Sequence, residues 1–382
     1  MEYGGDGEPD ALIVSDLPMQ GDSRERSRQQ VDAIRTVLED RHWSAGQTAV
    51  AFEACDDSIA KTGEWDAATC RSNAQAYADD AEVVAVIGTY NSGCAAEIIP
   101  ILNQAKDGPV AMVSPGNTFV CLTEPADTCK PSEPGTYYPT GKRNYVRVVP
   151  NDAAQAAGLA DFSRKEGVSR PFVLYAAHDP TSTGQATAYR NAARAAGLEV
   201  SGFERWDPKA KDYAKLLQQV RSPGADAVIL AGLLEENGAQ LIEDKVSVLG
   251  PNDDVKLLAF DGFAQQSTID DAGKAAAGMF ASVPGRAPEN LAGPGKALVG
   301  DLEEQGDRPV ELFAPYARQA AEVVLDTVAQ NGTGRGAVAS GLFTRRYVTG
   351  SRAASTSSEA ATRVWRRSRS RSPRPASSHS TR

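Results

Sequence analysis

Short apolar runs without polar alternation recur along this chain, and most are followed by a stretch of helical periodicity. Runs at residues 11–17, 48–54, 83–88 and 109–114 read as strands buried on both faces of a parallel sheet. The segments between them, 24–41, 66–79 and 93–104, read as helices; Ala67, Ala74, Tyr77 and Ala78 fall on one face, as in a helix packed on a sheet. After a polar excursion over 124–143, rich in Pro and Gly, the pattern restarts. It gives strands at 172–176, 198–203, 227–231 and 257–260 and helices at 153–166, 184–196, 213–220 and 238–248. The fold class is therefore α/β, with two doubly wound parallel-sheet lobes. Around 281–285 the chain is expected to cross back, and 316–330 reads as a helix rejoining the first lobe.

Composition narrows the function without naming it. A chain of 382 residues is long for a single core, and 41% apolar with 24% charged residues is an ordinary globular profile. The formal charge of −10, with no basic stripe in the folded regions, argues against a nucleic-acid partner. No run reaches the eighteen apolar residues of a membrane span, and the first ten residues lack the basic and apolar regions of a secretory leader. The last forty residues break the pattern: residues 343–382 hold ten Arg, ten Ser and one Glu, leaving residues 1–342 at −19. This segment reads as disordered, either a basic interaction tail or the product of an altered reading frame.

The chemistry collects at strand ends. Val83–Gly88 runs into Thr89-Tyr90-Asn91-Ser92-Gly93, and the next strand ends in Ser114-Pro115-Gly116-Asn117-Thr118. Open α/β sheets bind ligands at the carboxyl ends of their strands. Hydroxyls and free N–H groups there, beside a helix start, suit a carboxylate. The order and spacing of these two turns resemble the type I periplasmic binding proteins of the branched-chain amino acid class, with Ile87-Gly88-x-x-x-Ser92 followed by Ser114-Pro115-x-x-Thr118. The resemblance continues through residues 144–152 to about residue 335.

That resemblance implies a hinged clamshell, with a discontinuous first lobe at 10–145 and 285–338 and a second at 146–284. It also implies that the two turns, through Ser92, Gly116, Asn117 and Thr118, grip the α-carboxylate of an amino acid. Capping of its own helix is the alternative reading of Ser92. Asp261, ending the run Leu257–Phe260, matches the acidic residue that meets the α-ammonium; an Asp-Gly turn made for backbone reasons is its alternative. Thr183 and Leu234 stand at or beside positions where relatives carry aromatic walls, which leaves the ligand's identity open. Glu235 and Glu236 read as an exposed turn, with contact to a polar ligand as the alternative. The implied activity is non-enzymatic: delivery of a small solute, an amino acid or related zwitterion, to an ABC permease outside the cytoplasm. A ligand-sensing domain of a signalling protein is the alternative.

Five cysteines, Cys55, Cys70, Cys94, Cys121 and Cys129, fall in the first third of the chain. Their clustering fits an oxidising compartment. Cys121 and Cys129 bracket a loop that a disulfide would close, and Cys55 with Cys94 is a second candidate pair, with Cys55–Cys70 competing. No metal-ligand spacing is present, and no cofactor is expected. Catalytic patterns are weak. Ser58-x-x-Lys61 and Lys61-Thr62-Gly63 share a single lysine, and His178-Asp179 is an isolated pair near a strand end. Walker, dinucleotide and nucleophile-elbow motifs are absent, so no catalytic residue is assigned.

Overall fold

The computed structural model describes residues 1–176, 180–221, 224–305, 309–344 and 364–365. His178, Asp179 and most of the Arg/Ser-rich tail lie outside the described residues. The first sheet begins with β1 (Ala11–Leu17), whose seven residues are all buried. Helix α1 (Arg24–Asp40) leads to the short β2 (Ser44–Ala45) and to β3 (Thr48–Asp56), which runs two residues further than its apolar pattern into Cys55 and Asp56. Then come α2 (Ala67–Asp79), β4 (Val83–Gly88), α3 (Ser92–Asn103), β5 (Ala111–Ser114) and β6 (Tyr145–Arg147). The sheet order is β2-β3-β1-β4-β5-β6, parallel except for β2.

Asn151 starts α4 (Asp152–Lys165) by accepting a hydrogen bond from the Ala154 N–H at 3.2 Å. There follow β7 (Pro171–Ala176), α5 (Pro180–Ala195), β8 (Gly202–Trp206), α6 (Ala214–Arg221), β9 (Ala227–Ala231), α7 (Gly238–Leu249), β10 (Lys256–Ala259), α8 (Gln266–Ala272) and β11 (Phe280–Ser282). The strand expected at 198–203 lies instead at 202–206. Leu198 donates its N–H to the Ala193 carbonyl, so this apolar stretch closes α5 before the strand begins. β8 is an edge strand with Glu204 and Arg205 exposed, which is why it lacks the continuous apolar run of its neighbours.

The chain then returns through α9 (Pro294–Gln305) to α10 (Ala314–Asn331) and α11 (Arg335–Gly341). The second sheet runs β12-β11-β10-β9-β7-β8, where β12 (Val364–Trp365) pairs antiparallel with β11. Two residues of the Arg/Ser-rich segment therefore occupy the β11 edge.

Each sheet carries an apolar layer on both faces. Helix α10 buries Tyr316, Ala320, Val324 and Val328 with Ile34 and Leu38 of α1 on one face of the first sheet. Arg335, at the start of α11, donates to the carbonyls of Val83, Ala78, Tyr77 and Asp80. One guanidinium thereby satisfies the last carbonyls of α2. Among the described residues no helix is long and apolar enough to cross a membrane.

Cys121 is bonded to Cys129. Cys94 is bonded to Cys70, not to Cys55, and Cys55 keeps a free, half-buried thiol. The sequence-based pairing fails because α2 and α3 pack together over the same face of the sheet, which brings Cys70 and Cys94 to a Cα separation of 5.7 Å. Cys55 belongs to β3 itself; burial pushes its thiol up to about 11. Peptide mapping without reduction should recover a Cys70–Cys94 fragment. Cys55→Ser should leave the melting temperature nearly unchanged, whereas Cys70→Ser with Cys94→Ser should cost about 2–4 kcal/mol by denaturant titration.

Candidate functional site

The two turns at the carboxyl ends of β4 and β5 are tied to each other before any ligand is considered. Ser114 Oγ accepts from the N–H groups of Gly116 and Asn117 at 3.1 and 2.8 Å and donates to the Thr89 carbonyl at 3.0 Å. Asn117 Nδ2 donates to the carbonyls of Thr89 and Tyr90, both at 2.9 Å, and its Oδ1 accepts from Tyr145 at 3.1 Å. The Asn117 amide is thus consumed in positioning the turns. Ser92 Oγ accepts from the Phe119 N–H at 3.3 Å, and the helix-start residue before it, Asn91, makes no side-chain cap. The hydroxyl therefore bridges the two turns and does not cap α3.

From the second lobe, α5 and the turns after β9 and β10 face this cradle. Gly262 lets the latter two turns touch, since a Cβ there would lie 2.3 Å from the Gly232 carbonyl oxygen. Tyr90, Asn91, Ser92, Gly116 and Thr118 of the first lobe oppose Thr181, Gln185, Leu233 and Asp261 of the second. Only about 20 Å³ separates them, roughly the room for one water. A larger ligand must enter with the lobes further apart.

Of the residues singled out from sequence, Ser92, Gly116, Thr118 and Asp261 meet here. Thr183 does not: it is exposed on α5. The helix begins at Pro180, four residues before the expected start, so its phase turns Thr181 and Gln185 inward. Leu234 is also off the site, buried in the core of the second sheet, and its neighbour Leu233 takes the wall position. Nor do Glu235 and Glu236 form an exposed turn. The Glu236 side chain accepts from the Leu233 N–H at 2.8 Å, and Glu235 is 9% exposed in an ion pair.

That ion pair crosses the cleft. Arg26 of α1 reaches Glu235 Oε1 at 3.0 Å, hydrogen-bonds Gln265, and stacks 3.8 Å from the centre of the Tyr90 ring. Burial opposes its charge, but Tyr90, Glu235 and Glu311 outweigh burial and keep the guanidinium protonated. Nothing in the α1 sequence marked Arg26, because its second-lobe partners, Glu235 and Gln265, lie more than 200 residues away.

Two buried carboxyls lie on the second-lobe side. Asp261 accepts from Gln185 Nε2 at 3.2 Å, yet burial pushes it up to about 6. Asp152, at the start of α4, is fully buried, and neither of its oxygens has a well-formed hydrogen bond. Burial and then the charge of Asp261 push it up to about 8, against the Thr118 and Gln185 side chains and Arg147. It was not singled out from sequence, where Asn151-Asp152 reads as an ordinary helix start. The clusters of possible metal ligands among the described residues are built on disulfide-bonded sulfurs, which are not free to bind metal.

Asp152 is raised from the usual 3.8, so the folded chain holds this proton more tightly than the unfolded chain. Stability should therefore fall as pH rises from about 4 to about 8. Asp16 and Asp261 are both raised to about 6 and add to the lower part of that window. Chemical denaturation across this range should show the decline, with Asp152→Asn flattening its upper half. Asn117→Ala, which strips the Thr89 and Tyr90 carbonyls of their donor, should cost about 1–3 kcal/mol in the same assay.

The sequence profile of the periplasmic binding protein family matches residues 18–366. The fold is similar to that of the leucine-binding protein of Thermotoga maritima, at 23% identity and a TM-score of 0.72 over 87% of each chain. A branched-chain amino acid transporter substrate-binding protein of Streptococcus pneumoniae, solved with isoleucine, superposes with a TM-score of 0.71 at 14% identity over 87% of each chain. An R. palustris solute-binding protein solved with 4-hydroxybenzoate gives 0.71 at 16% identity, covering 87% of this chain and 83% of that one. A Leu/Ile/Val-binding protein homologue of Brucella melitensis is 24% identical over 153 residues, 40% of this chain but only 37% of that relative. The chain belongs to the periplasmic binding protein family, with the type I fold, and its family is one of solute-binding proteins and not of enzymes.

Proposed function

We propose that this chain captures an amino acid between its lobes and presents the closed form to an ABC permease outside the cytoplasm. One observation carries the reading. A cradle of hydroxyls and N–H groups at the start of α3 faces, across the cleft, the buried carboxyl of Asp261. Helix starts favour anions, and a buried carboxylate favours a cation that can hydrogen-bond to it. A zwitterion satisfies both walls at once and so stabilises the closed arrangement over the open one.

The similar structures named above hold isoleucine in one case and an aromatic acid in another. Those ligands share a carboxylate, and only the amino acid carries an ammonium. Asp261, with Asp152 behind Gln185, supports the amine-bearing class here. An aromatic acid would leave these carboxyls facing no cation.

A thermal-shift screen at millimolar concentration separates the classes. A ligand at about a thousand times its dissociation constant stabilises the fold by roughly 4 kcal/mol, a melting shift of several degrees. At least one amino acid should produce this shift and benzoate should not. Asp261→Ala should abolish the shift while leaving the unliganded protein folded. Equal shifts from acids lacking the amine would overturn the reading.

A further inference from the structure

Beside the inner cradle lies a second, larger compartment of the cleft, about 360 Å³, and Asn91 and Leu233 line both. Its walls are acidic and aromatic: Glu64 and Trp65 come from the first lobe, Glu235 and Glu236 from the second. Lys209 is the one cation among its lining residues; it is exposed and makes no ion pair among the described residues.

The carboxylates are incompletely compensated. Glu235 gives Oε1 to Arg26, and Ser23 approaches the same oxygen at 3.5 Å. Its Oε2 is buried and has no hydrogen-bond partner among the described residues, in a side chain only 9% exposed. Burial and the charges of Glu235 and Asp22 raise the Glu64 carboxyl, the direction expected where like charges meet without a cation between them. Trp65 supplies the ring type that best attracts a cation over its face. A neutral apolar side chain would leave Glu235 Oε2 buried and unpaired. A cationic one would face the Glu235 and Glu64 carboxylates and the indole together.

We propose that this compartment receives a positively charged side-chain end, so that the captured amino acid is a basic one with an ammonium or guanidinium group. The inference rests on the amino-acid reading of the inner cradle: the ligand's α-groups sit there, and its side chain passes between Asn91 and Leu233.

Calorimetric titration of the full chain with L-arginine, L-lysine, L-citrulline and L-leucine tests it. Citrulline keeps the shape of arginine without the charge. Arginine or lysine should bind at least ten-fold more tightly than citrulline and leucine. Glu64→Gln should remove most of that preference, and Trp65→Leu should weaken the basic ligand several-fold. Among the described residues Glu64 makes no side-chain hydrogen bond, and an unchanged melting temperature of the unliganded variant would confirm that the fold does not rely on it. If leucine or citrulline binds as tightly as the basic pair, the cationic compartment is overturned while the amino-acid reading stands. If the folded chain binds none of the four, and none of the other amino acids shifts its melting temperature, both fail.

Discussion

The arrangement of the cleft depends on one guanidinium. Arg26 leaves the first lobe, lies on the Tyr90 ring and meets Glu235 of the second lobe with little exposure on either partner. Removing one partner of such a pair strands the other charge in a poorly solvating interior. Opening the lobes does something different, because both charges regain water. The pair therefore sets a well-defined closed geometry without committing the protein to it. A ligand that touches both walls would favour the closed state over an open one. The pair also shapes the space, since Tyr90 under Arg26 walls the inner cradle while Glu235 walls the outer compartment.

The buried acids show what this site costs the fold. Asp152 lies wholly inside with neither oxygen properly bonded, and Asp57 at the end of β3 is likewise buried with both oxygens unpartnered. Native interiors rarely tolerate such groups, and they concentrate where function requires them. Here the two sets differ. Asp57 is held up by burial and by its neighbours Asp16 and Asp56, with Arg26 opposing them. Asp261 is held up by burial on the cleft wall, where on the proposed reading a ligand cation would face it, and Asp152 is held up by burial and by the charge of Asp261. On the proposed reading an amine entering there would favour the ionised form of Asp261, so the proton it gives up would be the counterpart of the charge the ligand brings.

Much of the architecture was legible because burial on both faces leaves a plain signature. Ala11–Leu17, Val83–Gly88 and Ala227–Ala231 are predominantly apolar runs and form strands with those bounds. β8 was misplaced because an edge strand has one wet face and no such run. At the site, position along the chain revealed strand ends but not side-chain direction. Thr183 and Leu234 each missed by a residue or two, since the phase of α5 and of the turn after β9 decides which neighbour faces the cleft. Pro180, a residue suited to a first helical turn, was the available signal for α5. The Cys70–Cys94 bond and the Arg26–Glu235 pair had no signal at all: both arise from how separate elements pack.

Capture and release follow from the same electrostatics. On the reading proposed above, the first-lobe cradle would hold a carboxylate by dipoles, with no cation among its lining residues, and the second lobe opposes it with the Asp261 carboxyl, which burial pushes up to about 6. Neither wall is a strong site in water, where dipoles and carboxylates alike are hydrated and their charge interactions weak. Strength appears only on closure, when water is excluded and every charge interaction grows. It vanishes on opening for the same reason. Whatever pulls the lobes apart by a few ångströms rehydrates Asp261, Glu235 and Arg26 together and removes the ligand's grip at both ends. A binding protein built this way holds its cargo tightly while closed without making that cargo hard to surrender.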